Sequence, residues 1–391
     1  MEFEVWWLLA IPVIFGCGWV AARLDLRSLL SESRNLPASY FRGLNFLLNE
    51  QPDKAIDAFI EVAKLDPETT ELHFALGSLF RRRGETERAI RVHQNLLSRD
   101  DLPQADQEHA LYELGHDFLK AGLLDRAEEA FSRLNTGAYA KAAQHAKLTI
   151  YQIEKEWRKA LTEAEALSDL DPAVSYRKEI AQFHCELAQE ALQRKDIESV
   201  TQELDAALEV NPANVRAPLL RGDMLLAAGD AQGALRVLST IEQQNPVYLG
   251  LAAKRLMRAY EALGRAPEGL NVLREALRKN PSDDLLEIVY EKTVALEGTE
   301  AALKLMREQM HRAPSALGMT RLLEAHAATA PGDTQSDLQL MGKLITQRTK
   351  SLPRYVCDQC GFRARLFYWQ CPGCNGWETY TPRRADVPAA S

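Results

Sequence analysis

Over residues 36–350 the apolar side chains fall three or four positions apart, the spacing of amphipathic helices, and the pattern itself recurs. One period carries Gly43, Phe46, Ala55, Phe59 and Pro67; shifted by 34 residues, Gly77, Phe80 and Ala89 return in step. The series continues through Gly115, Phe118, Ala127 and Phe131, then Tyr151, Ala160, Ala164 and Pro172, then Ala188, Ala191, Leu204, Ala207 and Pro212. Gly222, Leu225, Ala234, Leu238 and Pro246 follow, then Tyr260, Gly269, Leu273, Ala276 and Pro281, before a degenerate period with Ala302, Met306 and Pro314. Each period predicts two helices. A central glycine (Gly84, Gly122, Gly229, Gly264) separates them, and Asp-Pro or Asn-Pro steps such as Asp66-Pro67 and Asn211-Pro212 end one helix and begin the next. Small residues at fixed places let helix backbones approach, and aromatics fill the grooves beside them. No strand-like alternation occurs in this region.

This period resembles the tetratricopeptide repeat, so the expected class is all-α, with an α-solenoid over residues 36–350. Two departures stand out. The step from Gly77 to Gly115 exceeds 34 residues, predicting an extended loop around residues 99–104. After Pro281 the pattern fades, as expected of a terminal cap or a docking surface. A solenoid of this kind offers a groove lined by the first helix of each unit. The candidate partner-binding residues there are Arg81, Arg82, His109, Tyr112, His116, Lys120, Arg216, Lys254 and Arg258, with His145, Gln152 and Gln189 beside them. That set of cations and hydrogen-bonding groups suits an acidic or extended peptide segment. The remaining histidines and Cys185 sit in no ligand spacing and are read as structural.

Ahead of the repeats, residues 5–22 read VWWLLAIPVIFGCGWVAA without a charge. At helical rise this spans roughly 27 Å, about one hydrocarbon core, with Trp6, Trp7 and Trp19 placed for the interfaces. A cleavable signal would begin with cations, whereas Glu2 and Glu4 precede this run and Arg23 and Arg27 follow it. The expectation is an anchor over residues 1–22 and a juxtamembrane linker over 23–35, with the N-terminus periplasmic and the rest cytoplasmic. Gly16-Cys-Gly18-Trp-Val-Ala21 fits a dinucleotide fingerprint by chance, since no βαβ pattern follows.

Composition adds exclusions. At 391 residues, 26% charged and 46% hydrophobic, the chain is neither polytopic nor disordered. A net charge of -8 argues against nucleic-acid binding. No phosphate-binding loop, nucleophile elbow or paired-carboxylate signature appears, so no enzyme is expected.

The C-terminal stretch carries the one strong chemical motif. Cys357, Cys360, Cys371 and Cys374 form C-x2-C-x10-C-x2-C, two tight turns that aim four sulfurs at one ion. Disulfides are the bland alternative, disfavoured where thiols stay reduced. A segment as short as residues 351–382 buries too little apolar surface to fold without the metal. Phe362, Phe367, Tyr368, Trp369 and Trp377 are expected to shield the site and pack it onto the last repeats, leaving 383–391 as a tail. The knuckles look like rubredoxin; zinc is the expected occupant, with iron and a redox carrier as the alternative.

The order of anchor, repeats and knuckle pair resembles the lipopolysaccharide assembly protein B family over essentially the whole chain. Its most specific part runs from Arg354-Tyr-Val-Cys357 through Phe367-Tyr-Trp369-Gln-Cys371-Pro-Gly-Cys374 to Trp377-Glu-Thr379. The resemblance implies an inner-membrane adaptor that promotes turnover of the committed-step lipid A deacetylase (LpxC) by the membrane AAA+ protease FtsH. It also implies contact with other lipopolysaccharide assembly proteins and leaves room for a homodimer. A generic assembly scaffold is the other reading of the same parts.

Overall fold

The computed structural model describes residues 38–49, 51–65, 69–349 and 355–382. The apolar run at 5–22, the linker and the tail lie outside them, and no helix among the described residues is long and apolar enough to cross a membrane. The chain divides into two compact units, residues 1–154 and 155–391.

The first unit holds α1 (Ala38–Leu48), α2 (Pro52–Leu65), α3 (Thr70–Arg82), α4 (Thr86–Leu97), α5 (Gln104–Ala121), α6 (Leu124–Ser132) and α7 (Ala140–Glu154). Helices α1 and α2, α3 and α4, and α5 and α6 pack as antiparallel pairs, and α3 also touches α5. The periodic glycines explain the pairing. A Cβ on Gly43 would lie 2.5 Å from the Phe59 ring, one on Gly77 2.3 Å from His93, and one on Gly115 2.7 Å from Phe131. In each case the obstructing ring sits sixteen residues downstream, on the partner helix, and is fully buried. The close approach leaves no room for a side chain on the first helix.

In the second unit α8 (Trp157–Leu170) packs on α9 (Arg177–Gln193). The pairs α9 with α10 (Ile197–Val210) and α11 (Arg216–Ala227) with α12 (Ala231–Gln244) come next. A 3-10 turn (Pro246–Tyr248) leads to α13 (Leu249–Ala262) and α14 (Ala266–Lys279), α15 (Asp283–Glu297) and α16 (Thr299–Arg312), and α17 (Ala316–Ala327) and α18 (Gly332–Thr349). A Cβ on Gly222 would lie 2.5 Å from the Leu238 side chain, repeating the sixteen-residue relation. The repeat read from Tyr151 to Pro172 spans the division, its first helix in one unit and its second in the other.

Turn glycines behave as the pattern predicts: Gly84, Gly122, Gly229 and Gly264 adopt φ of +81°, +75°, +80° and +69°. Where the repeat lacks glycine at this place, Lys155 and Lys195 are forced to φ of 60°. A side chain there costs about 1 kcal/mol or more against the left-handed backbone.

The spacing anomaly between Gly77 and Gly115 resolves differently from expectation. The connection does lengthen, to residues 98–103, but α5 also begins eleven residues before Gly115, whereas α3 begins seven before Gly77. Most of the inserted chain therefore extends the helix by a turn, because continuing i to i−4 bonding satisfies backbone groups that a loop would leave to water.

After α18 the chain forms a small ribbon in which β1 (Tyr355–Val356) pairs antiparallel with β2 (Arg363–Ala364), Tyr355 opposite Ala364. Single bridges join Cys357 to Tyr380 and Gln370 to Trp377.

A four-cysteine centre docked on the repeat face

The two knuckles are built alike. The Cys357 amide donates to Phe362 O and the Gly361 amide to Cys357 O (both 2.9 Å), while the Cys371 amide donates to Gly376 O and the Asn375 amide to Cys371 O (both 2.8 Å). Gly361 (φ 73°) and Asn375 (φ 57°) close the turns in the left-handed conformation, which glycine and asparagine tolerate best. This folding brings Cys357, Cys360, Cys371 and Cys374 together, all four sulfurs within 4.8 Å of one another.

The spacing fits a metal. Cys357 and Cys374 Sγ are 3.8 Å apart, and Cys360 and Cys371 Sγ 3.7 Å. A tetrahedron with metal–sulfur bonds near 2.3 Å has edges of about 3.8 Å. A disulfide needs a sulfur–sulfur distance of about 2 Å, and these cysteines are not so joined.

Electrostatics tell the same story. Burial disfavours the Cys357 thiolate, but the Thr379 hydroxyl (3.2 Å) and the Cys360 and Gln359 amides outweigh it and bring the thiol down to about 6. Cys371 is lowered likewise: burial opposes its thiolate, while the Cys374 and Gly373 amides and the Tyr380 hydroxyl favour it. At Cys360 the Phe362 amide pulls downward, yet desolvation and the neighbouring sulfurs push the thiol up to about 12. Cys374 is raised as well, its Gly376 amide outweighed by desolvation and by Cys371 and Cys357. Four thiolates in this volume repel one another until a cation neutralises them. The structure thus presents a metal-binding cluster of four cysteines.

The ribbon is seated on the repeats. Trp377 is buried with its ring centroid 5.9 Å from both Trp157 and Phe183, edge to face. Beside it Gln182 Nε2 donates to Glu378 Oε1 at 2.7 Å. Trp369 stacks on Tyr248 (5.7 Å, 4° between planes), and the Arg216 guanidinium lies 5.9 Å from the Trp369 ring centroid. The Tyr355 hydroxyl donates to Asp284 Oδ2 at 2.7 Å. Contacts therefore run from α8 to α15.

This corrects the expected placement. The ribbon sits on α8 to α15 of the second unit, not on the last repeats, and only Phe367, Trp369 and Trp377 of the five predicted aromatics face the helices. Phe362 and Tyr368 stay on the ribbon itself, 42% and 39% exposed.

The predicted groove residues divide. Arg216 is buried, donating to Gln182 Oε1 (3.0 Å) and Gln189 Oε1 (2.6 Å) and pairing with Glu186 (2.8 Å). It is the internal seat of the ribbon rather than a groove cation. Arg81 is likewise engaged, by Glu113 (2.6 Å) and by buried Asp117 (2.8 Å), which also binds buried His93. His109, Tyr112 and His116 form a half-buried ring cluster in the first unit. Arg82, Lys120, Lys254 and Arg258 are exposed.

Sequence reading missed Gln182, Glu378, Tyr248 and Asp284 as docking residues. One signal was available for Arg216: it stands within Val215, Ala217 and Pro218, all buried, and a cation amid an apolar run needs an internal partner.

A rubredoxin metal-binding domain model matches residues 355–382, and a tetratricopeptide repeat model matches residues 42–105 and 185–248. The chain is similar to lipopolysaccharide assembly protein B of Escherichia coli strain K12, 33% identical over 379 residues covering 96% of this chain and 97% of that protein. It is similar also to the protein of the same name from Haemophilus influenzae, 31% identical over 387 residues.

Proposed function

Because the chain belongs to the lipopolysaccharide assembly protein B family, we propose that it is a non-enzymatic, inner-membrane adaptor that brings the LpxC-type deacetylase to the membrane protease FtsH. The observation that carries this reading is the arrangement of parts: helix pairs that present faces, and a metal ribbon that braces one of those faces. Residues 1–22 act as the anchor, with the repeats on the cytoplasmic side. Confinement to the plane of the membrane raises the effective concentration of client near a protease held in the same plane. The output is lipid A synthesis held in balance by proteolysis.

Zinc is the proposed occupant of the cysteine site, held by Cys357, Cys360, Cys371 and Cys374. It would supply charge neutralisation and folding free energy, and no redox couple. Supporting this, the two buried ligands are held by structural contacts, Thr379 on the Cys357 sulfur and Tyr380 on that of Cys371, and the tryptophans of the same ribbon bind helices.

The test is depletion of the chain in cells while the half-life of the deacetylase is followed. A lengthened half-life, restored by the wild-type chain and not by Cys360→Ser, is expected. An unchanged half-life removes the proteolytic role and leaves an assembly scaffold. Metal analysis with redox titration separates zinc from iron.

A further inference from the structure

In the second unit, Gln182 of α9 and Arg216 of α11 each stand six residues before the small residue of their repeat, Ala188 and Gly222. Together they receive a segment bearing aromatic and acidic side chains, Trp369 with Trp377-Glu378. The position equivalent to them in the first unit is His109, six residues before Gly115. In the first unit that position is equipped for similar chemistry.

His109 lies between two rings, 4.0 Å from Phe74 and 5.5 Å from Tyr139 by centroid, nearly parallel to the second. Tyr112 adds contacts to Tyr139 (4.9 Å) and to His116 (4.5 Å). All five rings are partly exposed. His109, Tyr112, His116 and Lys120 follow at spacings of three, four and four, so they form one stripe of α5; Phe74, Ser78 and Arg82 form the matching stripe of α3. Both stripes end in an exposed cation, and neither Arg82 nor Lys120 has an ion pair among the described residues. Two acids of α5 are already engaged by other groups: Glu113 binds Arg81, and Asp117 binds Arg81 and His93. Asp106 and Glu108 lie toward the N-terminal end of α5, close enough to Tyr139 to act on its hydroxyl, so the carboxylates of a ligand are directed to the other end, where the cations stand.

We propose that this face docks an extended acidic segment of a partner protein, which lays an aromatic side chain on the His109–Tyr112–Tyr139 rings and sets carboxylates against Arg82 and Lys120. The inference deepens the adaptor reading by naming the client chemistry, and it rests on that reading for the client's existence. Aromatic stacking supplies the anchor, and the two cations supply direction along the stripes.

The full chain in nanodiscs is panned with a random-peptide display library, counter-selecting on Tyr112→Ala. Acidic peptides carrying an aromatic residue are expected to enrich. A selected peptide, labelled for fluorescence anisotropy, should bind about tenfold more weakly to Tyr112→Ala and about threefold to fivefold more weakly to Lys120→Glu, with Lys304→Glu, exposed on α16, unchanged. Lys120 is exposed, so its variant keeps the fold, checked by unaltered hydrogen exchange in α5. Enrichment of basic or aliphatic peptides, no enrichment, or binding insensitive to both first-unit variants overturns the proposal. So does recovery of a dimer joined through this face. The readout is separate from the deacetylase half-life. If peptides bind as expected while Lys120→Glu cells degrade the deacetylase normally, the surface stands and the client assignment fails.

Discussion

Replacing Trp377 by alanine tests whether docking and metal binding are one process. The ring is 6% exposed, and it is wedged edge-on against Trp157 and Phe183, both at 5.9 Å. Truncating a buried tryptophan costs about 3–5 kcal/mol, of which each aromatic pair accounts for about 0.5–1.5 kcal/mol beyond burial. The loss falls on the docked, metal-loaded form, because the ribbon is too small to fold alone and the face it occupies is otherwise open. By linkage, about 3 kcal/mol removed from that form weakens apparent zinc affinity on the order of 100-fold. The assay is competition between the full-length chain and a chromophoric chelator, with hydrogen exchange read over residues 376–380 and α9. Both should change together, and Gln182→Ala should move both in the same direction by less, since it removes one hydrogen bond to a carboxylate. Zinc affinity within about threefold of wild type, with exchange unaltered, would refute the coupling: the ribbon would then be folded by metal alone and merely resting on the repeats.

Other outcomes follow from the packing. Gly115→Ala places a Cβ 2.7 Å from the Phe131 ring; overpacking of about 1–3 kcal/mol outweighs the gain of about 1 kcal/mol in helix propensity, so amides of α5 and α6 should exchange faster. In a Phe131→Leu background the same change should be less harmful. Lys195→Gly relieves the left-handed strain at φ 60° and should stabilise α9 and α10 by about 0.5–1 kcal/mol, read as slower local exchange. Burial pushes the Cys185 thiol up to about 12, so at pH 8 its thiolate fraction is on the order of 10⁻⁴ and iodoacetamide should label it only after denaturation. Fast labelling of Cys185 in the folded chain would contradict its packing at the α9–α11 contact.

The helix pairs, their turns and the metal ligands were legible in one dimension because each is a local rule. A glycine that must accept a neighbour's ring recurs at a fixed step; Gly84 and Gly229 stand where only a left-handed residue closes the turn; and C-x2-C is the shortest loop that aims two sulfurs at one ion. What the sequence could not reveal was where the ribbon sits. That choice depends on residues far apart in the chain: Gln182 meeting Glu378, Tyr355 meeting Asp284, and Trp377 meeting the stacked rings of Trp157 and Phe183 edge-on. No periodicity encodes such meetings, so Arg216 reads as one more groove cation until its partners appear around it. The inserted residues before Gly115 teach the same lesson locally, since a helix and a loop can absorb the same extra length and only backbone bonding in the folded chain decides between them. Repetition and ligand spacing are short-range constraints written in the order of residues; docking is a long-range choice made by surfaces that exist only once the helices have stacked.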